Sequence, residues 1–83
     1  MISIPAPVQL AKQKELNMFG KPVENAHVIT IADALKTNMS LKFVGFRECR
    51  NVTDAGALAI AKSLVFNGTV KMLNFESTGV GDK

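Results

Sequence analysis

The chain has 83 residues, enough for one small domain with a modest core, near the lower limit of independent stability. Apolar residues make up 47% and charged residues 20%, which excludes a disordered polyelectrolyte and indicates a globular fold. The net charge of +3 comes from scattered Lys and Arg residues, with no basic run of the kind that grips nucleic acid.

In chain order, Met1-Ile2-Ser3-Ile4-Pro5-Ala6-Pro7 has neither the basic start nor the apolar stretch of a signal peptide. Nothing approaches the roughly 20 apolar residues of a membrane span, so no membrane association is expected. Residues 1–13 read as an arm or partial N-terminal helical cap, with Val8, Leu10 and Ala11 as its apolar contacts. A first strand follows near 16–18.

A helix near 26–37 comes next. Asn25 is its expected cap, Val28, Ile29, Ala32 and Leu35 its inward stripe, and Asn38 its end. The second strand lies near 43–46, with Leu41, Val44, Phe46, Cys49 and Val52 as inward candidates. Thr53-Asp54 offers a cap for a second helix near 54–66. Its expected buried face is Ala57, Leu58, Ala61, Leu64 and Val65, and Asn67-Gly68 supplies the stop. The third strand falls near 72–75, with Val70, Leu73, Phe75, Thr78 and Val80 inward.

These elements are copies of one unit. Shifting the sequence by 29 positions aligns residues 23–46 with 52–75, and eight of the 24 pairs are identical. They are Val23/Val52, Ala26/Ala55, Ile31/Ile60, Ala32/Ala61, Leu35/Leu64, Asn38/Asn67, Lys42/Lys71 and Phe46/Phe75. Lys14-Glu15-Leu16-Asn17-Met18 echoes Lys71-Met72-Leu73-Asn74-Phe75, and Val80-x-Asp82 echoes Val52-x-Asp54 at an offset of 28. Such self-similarity marks an array of strand–turn–helix units. The last unit is incomplete, because Lys83 falls where its helix should begin.

Leu41-Lys42-Phe43-Val44-Gly45-Phe46-Arg47-Glu48-Cys49, followed by Val52-Thr53-Asp54-Ala55-Gly56-Ala57-Leu58-Ala59, resembles the ribonuclease-inhibitor type of leucine-rich repeat. The resemblance covers residues 14–83. It implies an α/β solenoid with about three parallel strands on a concave side, two full helices on a convex side, and recognition of other proteins. Ala34-Leu35-Lys36-Thr37-Asn38 and Leu73-Asn74-Phe75-Glu76-Ser77 are also similar to the repeat domain of tropomodulin and leiomodin, which cap or nucleate actin filaments. Asp54-Ala55-Gly56-Ala57 follows the general repeat consensus better than the tropomodulin one.

Strand alternation then singles out the concave positions Asn17 and Phe19, Phe43, Gly45 and Arg47, and Met72, Asn74 and Glu76 as partner-binding candidates. Glu15 shares that parity. An apolar centre with charged edges is the usual anatomy of a contact surface. The third strand lacks a following unit, so the C-terminal edge is a second candidate, open to a partner or to self-association.

Catalysis is not expected. Cys49 occupies the corner where this repeat type places Asn or Cys, and the lone His27 has no partner at metal-ligand spacing. Gly79-Val80-Gly81-Asp82-Lys83 lacks the spacing of a phosphate loop. No catalytic residue, cofactor, metal, small-molecule substrate or nucleic acid is expected. One unpaired cysteine suits a reducing, intracellular and cytoplasmic setting. The chain thus reads as a non-catalytic protein-binding scaffold, with a structural subunit or fragment of a larger assembly, and an actin binder, as alternatives.

Overall fold

A computed structural model describes Pro5 and residues 7–80. The expectations for residues 1–4 and for Gly81, Asp82 and Lys83 lie outside the described residues. In chain order the elements are α1 (Pro7–Leu10), β1 (Glu15–Asn17), α2 (Asn25–Leu35), β2 (Phe43–Gly45), α3 (Asp54–Ser63) and β3 (Met72–Asn74). The three strands form one parallel sheet in the order β1-β2-β3. Parallel neighbours need a crossover, and α2 and α3 supply the two crossovers here.

The repeat fixes the register. Leu16 pairs with Val44, and Val44 with Leu73, so successive strands are offset by 28 and then 29 residues. The three loops after the strands turn at equivalent residues, Gly20, Glu48 and Ser77, with φ of 68°, 62° and 60°. The extra residue therefore lies beyond Glu48, on the way to Val52. A surface loop absorbs it without disturbing sheet or helix.

The core lies between the sheet and the helices. Leu16, Met18, Val44 and Phe46 point into it from the strands and their ends. Val28, Ile31, Ala32 and Leu35 meet them from α2, and Ile60 from α3. Val23, Leu41, Cys49 and Val52 close the corners. Phe46 stacks on Phe75 with ring centroids 5.5 Å apart. Burying a side chain of this size contributes about 1.5–3 kcal/mol.

Several expected core positions are exposed. Ile29 in α2, and Leu58 and Ala61 in α3, face outward, and Val65 lies beyond the end of α3, also exposed. The α2 stripe is Val28, Ile31, Ala32 and Leu35, and a residue beside it on the helix wheel falls on its flank. In α3 the buried positions are Gly56, Ile60 and Ser63. Alternating alanines at 55, 57, 59 and 61 make this helix apolar all round, so its periodicity left the rotation open. Of the expected contacts of the N-terminal cap, Leu10 is buried, while Val8 and Ala11 are exposed.

Hydrogen bonds between units set the rotation instead. Glu24, not Asn25, is the N-cap of α2, and its capping box is completed by His27. Asn25 reaches across to the next helix. Its Oδ1 accepts from the backbone N–H groups of Thr53 and Gly56, both at 3.0 Å, and its Nδ2 donates to Thr53 Oγ1 at 2.7 Å. Thr53, the N-cap of α3, makes no side-chain cap bond of its own. A Cβ at Gly56 would sit 2.7 Å from Asn25 Oδ1, so glycine keeps this inter-unit cap possible.

The opposite corner uses a second asparagine device. Asn38 Oδ1 accepts from the N–H groups of Ser40 and Leu41, and Asn67 Oδ1 from those of Thr69 and Val70. Asn67 also donates backward, to the carbonyls of Leu35 at 2.8 Å and Asn38 at 2.7 Å. Thr69 Oγ1 donates to the Leu41 carbonyl. The asparagines are buried, and these bonds satisfy groups that would otherwise be stranded without water.

Candidate functional site: the outer face of the sheet

One face of the sheet is covered by helices. The other carries three rows of side chains, set by strand register. Glu15, Phe43 and Met72 form the first row, and Asn17, Gly45 and Asn74 the second. The ladder continues past the strand ends: Gly20 N–H donates to the Arg47 carbonyl and Glu48 N–H to the Glu76 carbonyl, both at 2.9 Å. A third row of Phe19, Arg47 and Glu76 is thereby aligned. All eight candidate residues read from the sequence fall in this grid, together with Glu15.

The rows differ in character. In the first, Met72 is 62% exposed. Phe43 is half-buried because its ring folds back over Gly45, where an added Cβ would lie 2.6 Å from Phe43 Cζ. Gly45 is therefore buried, and its contribution is to let the phenyl ring lie flat on the sheet. Asn17 and Asn74 are engaged locally. Each Oδ1 accepts the N–H two residues on, from Phe19 at 3.0 Å and from Glu76 at 2.8 Å, which shapes the strand exits.

In the third row the side chains touch. The Arg47 guanidinium lies 5.3 Å from the centroid of the Phe19 ring, and its Nε is 3.6 Å from Glu76 Oε1. Arg47 thus ties the outer strands together across the middle one. Both partners of the ion pair are more than half exposed, so the pair is worth about 0–1 kcal/mol. Phe19 leaves half its surface open beside this charge.

Cys49 and His27 are each engaged in structural hydrogen bonds. Cys49 Sγ donates to the Met18 carbonyl at 2.9 Å in the buried corner between units. Burial pushes its thiol pKa upward, outweighing backbone hydrogen bonds from Lys21 and Gly20 that lower it. A raised pKa leaves little thiolate to react. His27 Nδ1 accepts from the Glu24 N–H at 3.0 Å as part of the helix cap. Among the described residues no group of three or more His, Cys, Asp or Glu could hold a metal ion. No helix among them is long and apolar enough to cross a membrane.

Two further surfaces stand out. A groove of about 430 Å³ runs between α2 and α3, lined by Ile29, Ala32, Asp33, Lys36, Ala59 and Lys62. At the β3 edge, Leu73 is 39% exposed, and Phe75, Val70 and Val80 are only partly covered. Sequence alternation named the grid but not its internal contacts. The offsets of 28 and 29 already align Phe19, Arg47 and Glu76, and that was the available signal.

No protein-family model matches the chain, and no curated protein matches it either. The solved structure of leiomodin-1 actin-binding site 2 is similar in fold, with a TM-score of 0.80 and 24% sequence identity. The match covers 89% of this chain and 45% of that one, so this chain spans less than half the length of its structural neighbour. The likeness establishes a small mixed α/β fold with three parallel strands.

Proposed function

We propose that this chain is a non-catalytic, cytoplasmic protein-binding module of leucine-rich-repeat type, and that its partner sits on the outer face of the sheet. The observation that carries this reading is the grid itself. One sheet face is covered by helices except at the β3 edge, while the other presents Phe43, Met72 and Phe19 beside Arg47 and Glu76. Accessible aromatic and Met side chains next to an Arg are the composition that dominates binding energy at protein interfaces. No cofactor or metal has a part in this function.

Actin is the first partner to try, because the similar leiomodin-1 structure is an actin-binding site. The test is co-sedimentation with filamentous actin and binding to monomeric actin, for the chain and for the double variant Phe43→Ala, Met72→Ala. Loss of at least tenfold in affinity with an unchanged thermal melt supports the outer face, as expected for hot-spot side chains worth about 2 kcal/mol together. Undiminished binding by the double variant sinks it.

A second reading uses the edge of β3, and the part-exposed Leu73 and Phe75 favour it. An open strand edge with apolar residues beside it pairs readily with another strand. Concentration-dependent mass in light scattering, abolished by Leu73→Lys, is the outcome this reading requires. A single monomeric species at all concentrations removes self-association.

A further inference from the structure

Across the three strand segments, one exposed position is the same every time. Lys14, Lys42 and Lys71 each precede the first residue of their strand or of its sheet pairing. Backbone bonds hold them in line: Lys42 N–H donates to the Lys14 carbonyl at 2.7 Å, and Lys71 N–H to the Lys42 carbonyl at 2.8 Å. Adjacent strands lie about 4.8 Å apart, so three ammonium-bearing side chains leave a stretch of backbone about 10 Å wide. All three residues are exposed, and among the described residues none forms an ion pair.

The solenoid pattern does not account for this. Packing imposes apolar residues at the core positions, but exposed positions are free to vary, as Glu15, Phe43 and Met72 do in the next row. Like charges directly opposite each other across a sheet are unfavourable. Lysine nonetheless stands at this exposed position in all three units.

We infer that the lysine row and the Phe43–Met72 row together form a docking surface for an acidic, leucine-rich polypeptide segment crossing the strands. This rests on the outer sheet face being the contact surface, and it specifies the chemistry of what binds there. Carboxylates pair with Lys14, Lys42 and Lys71 while adjoining apolar side chains cover Phe43 and Met72. The grid also carries Glu15 and Glu76. These repel the continuous negative charge of a nucleic-acid backbone or an anionic bilayer, whereas a peptide can place its charges between them.

The experiment is an amide NMR titration of the whole chain with two twelve-residue peptides. One alternates Glu and Leu, and the other replaces every Glu by Gln. The acidic peptide shifts the amides of residues 14, 42–43 and 71–72. Its affinity falls about tenfold in Lys42→Glu and again at 0.5 M salt, because close charge pairs and their screening govern such contacts. Lys42→Arg keeps binding within about twofold, and the melting curves of both variants match the parent, which separates the effect from unfolding. Equal binding of the Gln peptide, indifference to Lys42→Glu, or shifts confined to other surfaces overturns the inference. So does stronger binding to phosphatidylserine vesicles or to a uridine dodecamer than to the acidic peptide. Loss of actin binding in Phe43→Ala, Met72→Ala but not in Lys42→Glu refutes the acidic segment and leaves the contact face standing.

Discussion

The second unit, residues 23–51, and the third, residues 52–80, share a pattern but not an environment. Leu35, Leu41, Val44 and Phe46 are all fully buried. Their equivalents Leu64, Val70 and Phe75 are only partly covered, and Leu73 is 39% exposed. The side chains are nearly the same size, so the difference is the neighbour. Among the described residues the second unit is packed on both sides and the third on one. Where like units stack, each neighbour interface adds stability, so a matching residue contributes less where less of it is covered.

Substituting matched residues breaks or sharpens that comparison. The largest effect is expected for Phe46→Ala, which removes a ring with no exposed surface and its stack on Phe75. It should cost about 3–5 kcal/mol in urea unfolding, enough to unfold a chain this small. Phe75→Ala should cost about half as much, because part of that ring already faces water. Equal losses would show that the third unit is as well packed as the second.

Next comes Asn67→Ala. It removes bonds to the Leu35 and Asn38 carbonyls of the second unit and leaves the Thr69 and Val70 N–H groups without their acceptor, an expected loss of about 2–4 kcal/mol. Asn38→Ala removes bonds to the two N–H groups of Ser40 and Leu41 within its own unit and should cost about 1–2 kcal/mol. Hydrogen exchange should localise the first loss to the junction of units two and three.

The smallest effect has the opposite sign. Glu48 and Ser77 hold left-handed backbone where the first unit has Gly20. Replacing either by Gly removes a penalty of about 1 kcal/mol, against a comparable entropic cost in the unfolded chain, so the net gain should be about 0.5 kcal/mol or less. A rise of a degree or two in melting temperature would register it.

Much of this was legible in the sequence. The 29-residue offset fixed the order of strands and helices, and alternation placed Phe43, Arg47, Met72 and Glu76 on one face. The rotation of α3 was not legible. Its alanines offer no contrast between faces, so Leu58 and Val65 passed for core residues. Asn25 was misread for a related reason. A side chain that caps a helix 28 residues away looks, locally, like a cap for its own. The clue was the 29-residue offset: Thr53 aligns with Glu24 and Asn25 with Asp54, which puts Asn25 one residue inside its own helix.

That Asn25 bond has a consequence for how the protein is made. The amide that fixes the start of α3 belongs to α2, which leaves the ribosome first. A newly synthesised second unit presents a ready acceptor to the Thr53 and Gly56 N–H groups as they emerge. The second unit can then template the third as it is synthesised.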